Sequence, residues 1–295
     1  MLTKGQIVHF DIFGFLVLRH AFSSKEMKIF TDAAEKMWAV EEGDCVGGKQ
    51  DPGATSLGEI VERHPRLTSL AEDDRIFGVI EQLLGPGFIW AGSEGQRGRV
   101  HSTWHNDKPG KNQNKYPRIK VHLYLEPTAK ETGALRVIPG SHRTPFHESL
   151  EPLMGYHLVH GNEYNSNMSL DEGNASKAQS LPFGVDGPDI PCYAFESNPG
   201  DVIFFHQSVY HAVYGGLGEG RRYIAVKFAA KPTTVEHIHL IKKTTEYVFH
   251  PHEAFLKSDR PRIRGMVENL KMLEAEDKEL IVKEGRGRGT TYKLK

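Results

Sequence analysis

The sequence predicts a mainly β chain with flanking helices, a double-stranded β-helix or jelly roll, and three observations point that way. Strand-like segments crowd the middle of the chain, two amphipathic helical patterns precede them, and a further one follows near the C-terminus. Strand-rich sequence framed by helices suits a curled pair of sheets whose outside is buttressed by helices. No repeat and no low-complexity linker divides the 295 residues, so one domain is expected: a helical buttress over about 20–85, a jelly-roll core over about 86–230 and a helical extension over about 231–295.

The elements follow in order. Val8 to Leu18 is apolar apart from His9 and Asp11 and reads as a leading turn and strand. Ser23, Ser24, Lys25 and Glu26 form a capping-box pattern ahead of Met27, Phe30, Ala34, Met37 and Trp38, whose spacing marks one face of a helix. A second helix is predicted from Asp73 to Leu84, with Ile76, Val79, Ile80 and Leu83 on its apolar face and Gly85-Pro86 as its stop. Strands are expected around Gly87 to Ala91, Arg118 to Glu126, Ala134 to Ile138, Asp201 to Phe205, Tyr210 to Tyr214 and Arg222 to Ala229. In Lys120 to Glu126 the alternation is clear: Val121, Leu123 and Leu125 take one face, leaving His122, Tyr124 and Glu126 on the other. That polar face lines a co-substrate pocket if the strand encloses a polar interior, and is a solvated face if the strand is an edge. Near the C-terminus Ile263, Met266, Val267, Leu270 and Leu273 mark a helix for packing or an oligomer contact, ahead of a glycine-rich end from Lys283 to Gly289. The stretches from Asp44 to Ser56 and from His142 to Pro199, rich in turn residues, are candidate substrate lids.

Composition excludes several classes. With 37 basic and 38 acidic residues the charge balances, so neither nucleic acid nor a membrane surface is an expected partner, and Arg286 and Arg288 without interleaved aromatics make no RNA-binding tail. The only cysteines, Cys45 and Cys192, cannot supply a disulfide framework or a structural zinc site. No apolar run reaches membrane-span length, and His9 and Asp11 interrupt what would be a signal peptide. A cytoplasmic enzyme is the simplest expectation.

The chemistry concentrates in two distant segments, Trp104-His105-Asn106-Asp107 and Gly200 to His206 running on to His211, followed by Arg221-Arg222. Side chains two residues apart in an extended segment share a side, so His105 and Asp107 can grip one ion. A second imidazole from another strand would close one face of an octahedron and leave the opposite face open, the donor set that suits Fe(II) handling dioxygen. With 16 histidines, about one His-x-Asp triplet is expected by chance, and His9-x-Asp11 is read as structural.

Context makes a family recognisable. Gly133 to His142 (Gly-Ala-Leu-Arg-Val-Ile-Pro-Gly-Ser-His) follows His105-x-Asp107, Pro199-Gly200-Asp201-Val202-Ile203-Phe204-Phe205 leads into His211, and Phe10 to Leu18 opens the chain. This order resembles the phytanoyl-CoA dioxygenase (PhyH-like) family of Fe(II)/2-oxoglutarate oxygenases. The resemblance implies His105, Asp107 and His211 as iron ligands and Arg222 as the grip on the far carboxylate of 2-oxoglutarate, with O2 as the oxidant. Spacing favours Arg222 over Arg221, and so does alternation with Ile224, Val226 and Phe228; a guanidinium pairs with a carboxylate through two parallel hydrogen bonds. His206, on the Val202/Phe204 face, competes with His211, and His211-Ala212-Val213 departs from the His-Gly-Ser of many relatives. His122, Tyr124 and the turn residue Thr132 are further candidates for the co-substrate pocket. The implied reaction is hydroxylation of a small molecule, or desaturation or ring closure, with release of succinate and CO2. Retention of Asp107 argues against halogenation. The alternative is a cupin-like metal protein without oxygenase activity, an isomerase or a binding module, and a buried arginine for a dicarboxylic co-substrate discriminates the two.

Overall fold

The computed structural model describes residues 1–40, 54–98, 102–154, 183–185, 187–216, 220–277, 281–284 and 291–294. Its strands, in chain order, are β1 (Phe15–Leu18), β2 (Ala54–Gly58), β3 (Ile89–Gly98), β4 (Ser102–His105), β5 (Arg118–Tyr124), β6 (Leu135–Val137), β7 (Tyr193–Ala194), β8 (Val202–His206), β9 (His211–Val213), β10 (Arg222–Ala229), β11 (Ile281–Glu284) and β12 (Thr291–Leu294). A six-stranded sheet runs β1-β8-β5-β10-β3-β2 and a four-stranded sheet runs β4-β9-β6-β7, with every paired strand antiparallel. Two antiparallel sheets with helices packed outside are the jelly-roll layout that the strand pattern predicts.

Each sheet separates two environments by strict alternation. On β5, β8 and β10 the residues Ile119, Val121, Leu123, Val202, Phe204, Ile224, Val226 and Phe228 join one apolar cluster with the helical layer, including Trp38, Ile76, Ile80 and Ile263. The alternate residues Tyr124, Ile203, Phe205, Tyr223 and Ala225 meet Leu135, Val137 and Val213 of the smaller sheet. Trp104, Ala212 and Tyr214, on that sheet's outer side, pack with Ile138, Leu150, Leu153 and Ile190. The space between the sheets is where polar chemistry can be shielded from water.

The helices bear out their caps. Ser23 and Glu26 bond reciprocally through backbone and side chain ahead of the helix Ser24–Val40, whose residues Met27, Phe30, Ala34 and Trp38 are buried. Asp73 accepts from the Arg75 amide at 2.9 Å and starts the helix Asp74–Leu84, which Gly85 ends with φ of 85°. Several segments differ from expectation. Lys4–Phe13 is a helix capped by Thr3, because the Thr3/Gln6 capping box outweighs the strand-like apolar run, and only Phe15–Leu18 is strand. Strand β3 continues to Gly98 rather than stopping at Ala91; in its second half Glu94 and Gln96 face the interior and Arg97 pairs with Glu35 on the helical side. A helix at Val235–Thr245 precedes the expected C-terminal one, which spans Pro261–Asp277. Lys283 and Glu284 lie in the β11–β12 hairpin, whereas 285–290 fall outside the described residues. So do residues 44–53, 155–182 and 186 of the two candidate lids; the described part of the second contains the short helix Phe146–Ser149 and β7. Among the described residues no helix is long and apolar enough to cross a membrane.

The Pro199-Gly200-Asp201 signature is a structural joint. Asp201 is buried and accepts from the His20 amide at 2.8 Å, Arg19 at 2.8 Å and the Asn198 amide at 3.1 Å, fastening the end of β1 to the start of β8. Gly200 has φ of 104°, and a Cβ there would stand 2.3 Å from the Phe22 carbonyl oxygen. Gly200→Ala should therefore cost more than about 1 kcal/mol, from the left-handed backbone alone, before the clash is counted. Urea unfolding monitored by circular dichroism checks this, and an unshifted midpoint would contradict the joint.

Candidate metal centre

The short pairing of β4 with β9 sets His105 directly opposite His211, with ring centroids 4.2 Å apart. Two residues beyond His105, Asp107 is held by its amide donating to the Gln207 carbonyl at 2.9 Å. One potential ligand atom from each of His105, Asp107 and His211 lies within 4.8 Å of the others, the one such group of three among the described residues. Each imidazole is oriented by its own strand: His105 Nδ1 bonds the Thr103 carbonyl at 2.7 Å and His211 Nδ1 the Val209 carbonyl at 2.8 Å. A carbonyl only accepts, so Nδ1 carries the proton on each ring and the Nε2 lone pair is left for a metal.

Electrostatics keep the set ready. Burial, followed by the neighbouring His211, pushes His105 down to about 4, so it is neutral near pH 7. Burial alone would raise the Asp107 carboxyl, but the Lys120 ammonium and His211 outweigh it and hold it well below its usual range. Asp107 Oδ1 lies 3.6 Å from His211 Nε2, and Oδ2 lies 3.5 Å from Lys120 Nζ without a hydrogen bond. Two imidazole Nε2 atoms and an ionised carboxylate, with one buried carboxylate oxygen lacking a hydrogen bond, fit a divalent ion of the 2-His-1-carboxylate type.

Behind this triad the interior face of the larger sheet carries Lys120, His122 and Tyr124 on β5, Tyr223 and Lys227 on β10, and Glu94 and Gln96 on β3. Arg221, one residue before β10, is buried: Nε donates to the Gly133 carbonyl at 2.8 Å, one terminal nitrogen to Tyr124 Oη at 2.9 Å, and the other has no partner. His122 stacks on Tyr223 at 4.6 Å, and both of its ring nitrogens are buried without a partner. Burial, then the Lys120 charge, keeps it neutral. Arg221 Nη1, both His122 nitrogens and Asp107 Oδ2 are thus buried orphans facing one interior, and orphans of this kind mark the place of an absent ligand.

Several predicted residues sit elsewhere. Arg222 faces away: its guanidinium pairs with Glu126 and with Glu35 of the helix Ser24–Val40, the latter at 2.6 Å. The alternation with Ile224, Val226 and Phe228 is real, but that face packs against the helices; Arg221 has the interior parity of Tyr223 and Ala225. Glu126 lies beyond the end of β5 and joins Arg222 instead of continuing the His122/Tyr124 face. Thr132 is exposed and bonds the Ala129 amide within a turn. His206 continues the Val202/Phe204 face, accepts from the Ser208 amide at 3.1 Å and has its ring 5.1 Å from that of His142, so it is packing. His9 lies on the first helix, against Phe13 and Phe15. Lys120, Glu94, Tyr223 and Lys227 were missed, although Lys120-x-His122-x-Tyr124 and Tyr223-x-Ala225-x-Lys227 carry the alternation that would find all but Glu94.

The sequence pattern of the family described as phytanoyl-CoA dioxygenase (PhyH) matches residues 10–223. The chain belongs to that family. Its members are Fe(II)/2-oxoglutarate-dependent oxygenases, and the protein is an oxygenase of this class. It is 27% identical over 244 residues to the ectoine dioxygenase of Sphingopyxis alaskensis, covering 73% of this chain and 72% of that protein. Among solved structures it resembles HygX from Streptomyces hygroscopicus with nickel and 2-oxoglutarate bound (20% identity, TM-score 0.58, 78% and 88% of the two chains covered). It also resembles EctD from S. alaskensis with bound iron (22% identity, TM-score 0.55, 78% and 77% covered). These likenesses support the jelly-roll fold of the family.

Burial pushes His206 well below the usual histidine value and lowers His142 as well. A histidine buried neutral binds its proton more readily when unfolded, so its contribution is present above the unfolded value of about 6.5 and is lost as pH falls below it. Stability of the metal-free protein should drop from pH 7 to pH 5, by about 1.4 kcal/mol per pH unit for a histidine such as His206 that stays neutral in the fold. His206→Asn should flatten the slope. Urea midpoints across that range test it, and a flat profile for the unaltered protein would refute it.

Proposed function

We propose that His105, Asp107 and His211 hold Fe(II), that Arg221 rather than Arg222 grips the distal carboxylate of 2-oxoglutarate, and that the reaction hydroxylates a small molecule. The observation that carries this reading is the set of buried orphans: Arg221 Nη1 and the His122 nitrogens share one interior with the triad. A dicarboxylate with one end at the metal and the other at Arg221 would satisfy them. With iron, 2-oxoglutarate and O2 bound, the group supplies oxidative decarboxylation to succinate and CO2, coupled to oxygen transfer.

The chain's own residues bind, orient and exclude water. Arg221 is preset by the Gly133 carbonyl and Tyr124 Oη, with its guanidinium carbon 5.1 Å from the ring centroids of both Tyr124 and Tyr223, so its remaining nitrogen is aimed inward. Neutral His122 can donate one hydrogen bond to a carboxylate while its stacking on Tyr223 fixes the ring plane. Tyr223 is fixed in turn by donating to Gln96 at 2.5 Å. Phe205, Ile203 and Val213 line the same interior and keep it dry, which strengthens the charge pairing. The His122 and Tyr124 assignments follow from the same placement, whereas Thr132 has none.

Two measurements test the reading. Succinate formation by anaerobically prepared protein given Fe(II), 2-oxoglutarate and oxygen should be lost in His105→Ala. In nickel-loaded protein Arg221→Ala should weaken 2-oxoglutarate binding by about tenfold or more, from losing a charged hydrogen-bond pair, as calorimetry would show. Arg222→Ala should leave that affinity nearly unchanged; the opposite ranking would return the role to Arg222.

A further inference from the structure

A run of charged side chains that the reaction above does not use ends at the metal-ligand carboxylate. Lys120 on β5 lies directly across from Lys227 on β10, and Glu94 of β3 sits between their ammonium groups. Glu94 Oε1 lies 2.8 Å from Lys120 Nζ, and Oε2 accepts from Lys227 Nζ at 2.5 Å. Lys120 Nζ then stands 3.5 Å from Asp107 Oδ2. Signs alternate along the whole run, from Asp107 through Lys120 and Glu94 to Lys227. Its spacing is uneven, and the wide gap falls at Asp107.

One buried ammonium is thus offered two carboxylates. It pairs with Glu94 at hydrogen-bond distance and stops short of Asp107, whose Oδ2 has no hydrogen-bond partner among the described residues. The fold fixes both members of the closer pair. Lys120 belongs to a central strand, in register with Phe205 on one side and Lys227 on the other. Glu94 is steadied by its second lysine, which stands where the β10 and β3 register shifts between Val226 and Phe228; irregularities of this kind re-aim side chains beside active sites. Among the described residues Asp107 is the one other carboxylate within 4.0 Å of the Lys120 ammonium. Metal binding turns the arrangement into a competition, because a carboxylate held by an ammonium must be released before it can serve a divalent ion. A hydrogen bond between charged groups is worth about tenfold or more in an equilibrium constant, so a lysine closed onto Asp107 would take that much from the ion. A cation so near the ligand oxygen would also repel the ion directly.

The geometry points to Glu94 as a positioning residue for the metal centre, acting through Lys120: it draws the ammonium to itself and so keeps the Asp107 carboxylate open to a divalent ion. This rests on His105, Asp107 and His211 being the metal site. Calorimetric titration of nickel into the metal-free whole chain, without 2-oxoglutarate, tests it. Glu94→Gln keeps the side chain's size and loses its charge, so Lys120 closes onto Asp107 and nickel affinity should fall by about tenfold or more. Lys120→Met removes the competitor and leaves Glu94 paired with Lys227, so nickel should bind at least as tightly as in the unaltered protein. The double variant should regain what Glu94→Gln loses, because no ammonium remains to close. A merely structural Glu94 would give no such rescue, and urea midpoints, which fall for any loss from the network, show the folded fraction of each sample. Undiminished affinity in Glu94→Gln, or a double variant as weak as Glu94→Gln, overturns the proposal. So does weaker binding in Lys120→Met, which would mean that the lysine aims the carboxylate instead of competing for it; should Glu94→Gln not fold, this arm decides alone. His105→Ala separates the two levels: undiminished nickel binding there overturns the metal site itself, whereas a loss there with the expected ranking absent overturns the role of Glu94 alone.

Discussion

The register of β4 against β9 is the constraint on which the site depends. One cross-strand pair, His105 with His211, sets the distance between two imidazoles, and the next turn of chain brings Asp107 to them. A slip of one residue would turn both rings to the outer side, where Trp104, Ala212 and Tyr214 pack. That outer packing fixes the register from behind: the large aromatic Trp104 is fully buried, its indole donating to the Gly187 carbonyl at 2.7 Å. The apolar outside of the small sheet thereby sets the geometry of its polar inside.

The larger sheet works by the same division with the costs reversed. Its outer face is a conventional apolar contact with helices, and its inner face carries Lys120, Lys227 and Glu94 as alternating charges, with Asp107 of the smaller sheet's side facing Lys120. Lys120 and Lys227 are direct cross-strand partners, an arrangement that would repel without Glu94 between them. Burial works against the ionised form of Glu94, yet the two lysines outweigh it and hold the carboxylate ionised. Removing one member would strand the others, so the network stands or falls together.

Much of this was legible in the sequence, because period and capping are local. The capping box at Ser23, the helix stop at Gly85, the alternation in Lys120 to Tyr124 and the His105-x-Asp107 pair all state their geometry within a few residues. What was illegible required knowing which side of a sheet is inside. Arg222 and Arg221 sit on opposite faces of one strand, and the alternation of Ile224, Val226 and Phe228 is equally compatible with a core or a helical contact. The Ile224 face is the more apolar and so invites the inward reading, whereas in a barrel enclosing a polar site that face belongs to the helices. Likewise the polar half of β3 carries no apolar signal, since Glu94 and Gln96 face interior partners set by tertiary structure. The helix Lys4–Phe13 was hidden by its apolar content, which resembles a strand once its Thr3 cap is overlooked.

The Nδ1 bonds from His105 and His211 to carbonyls of their own strands have a consequence for handling the protein. Both rings are aimed by the backbone and need no ion to gather them, so the ligand set is preassembled. A preassembled trio of two imidazoles and a carboxylate ranks metals by intrinsic affinity, and along the first row that order places nickel, copper and zinc above ferrous iron. Occupancy is then governed by which ion the cell or the purification supplies. An inactive preparation can be a correctly folded protein carrying a competitor ion, and metal content becomes part of the definition of the enzyme.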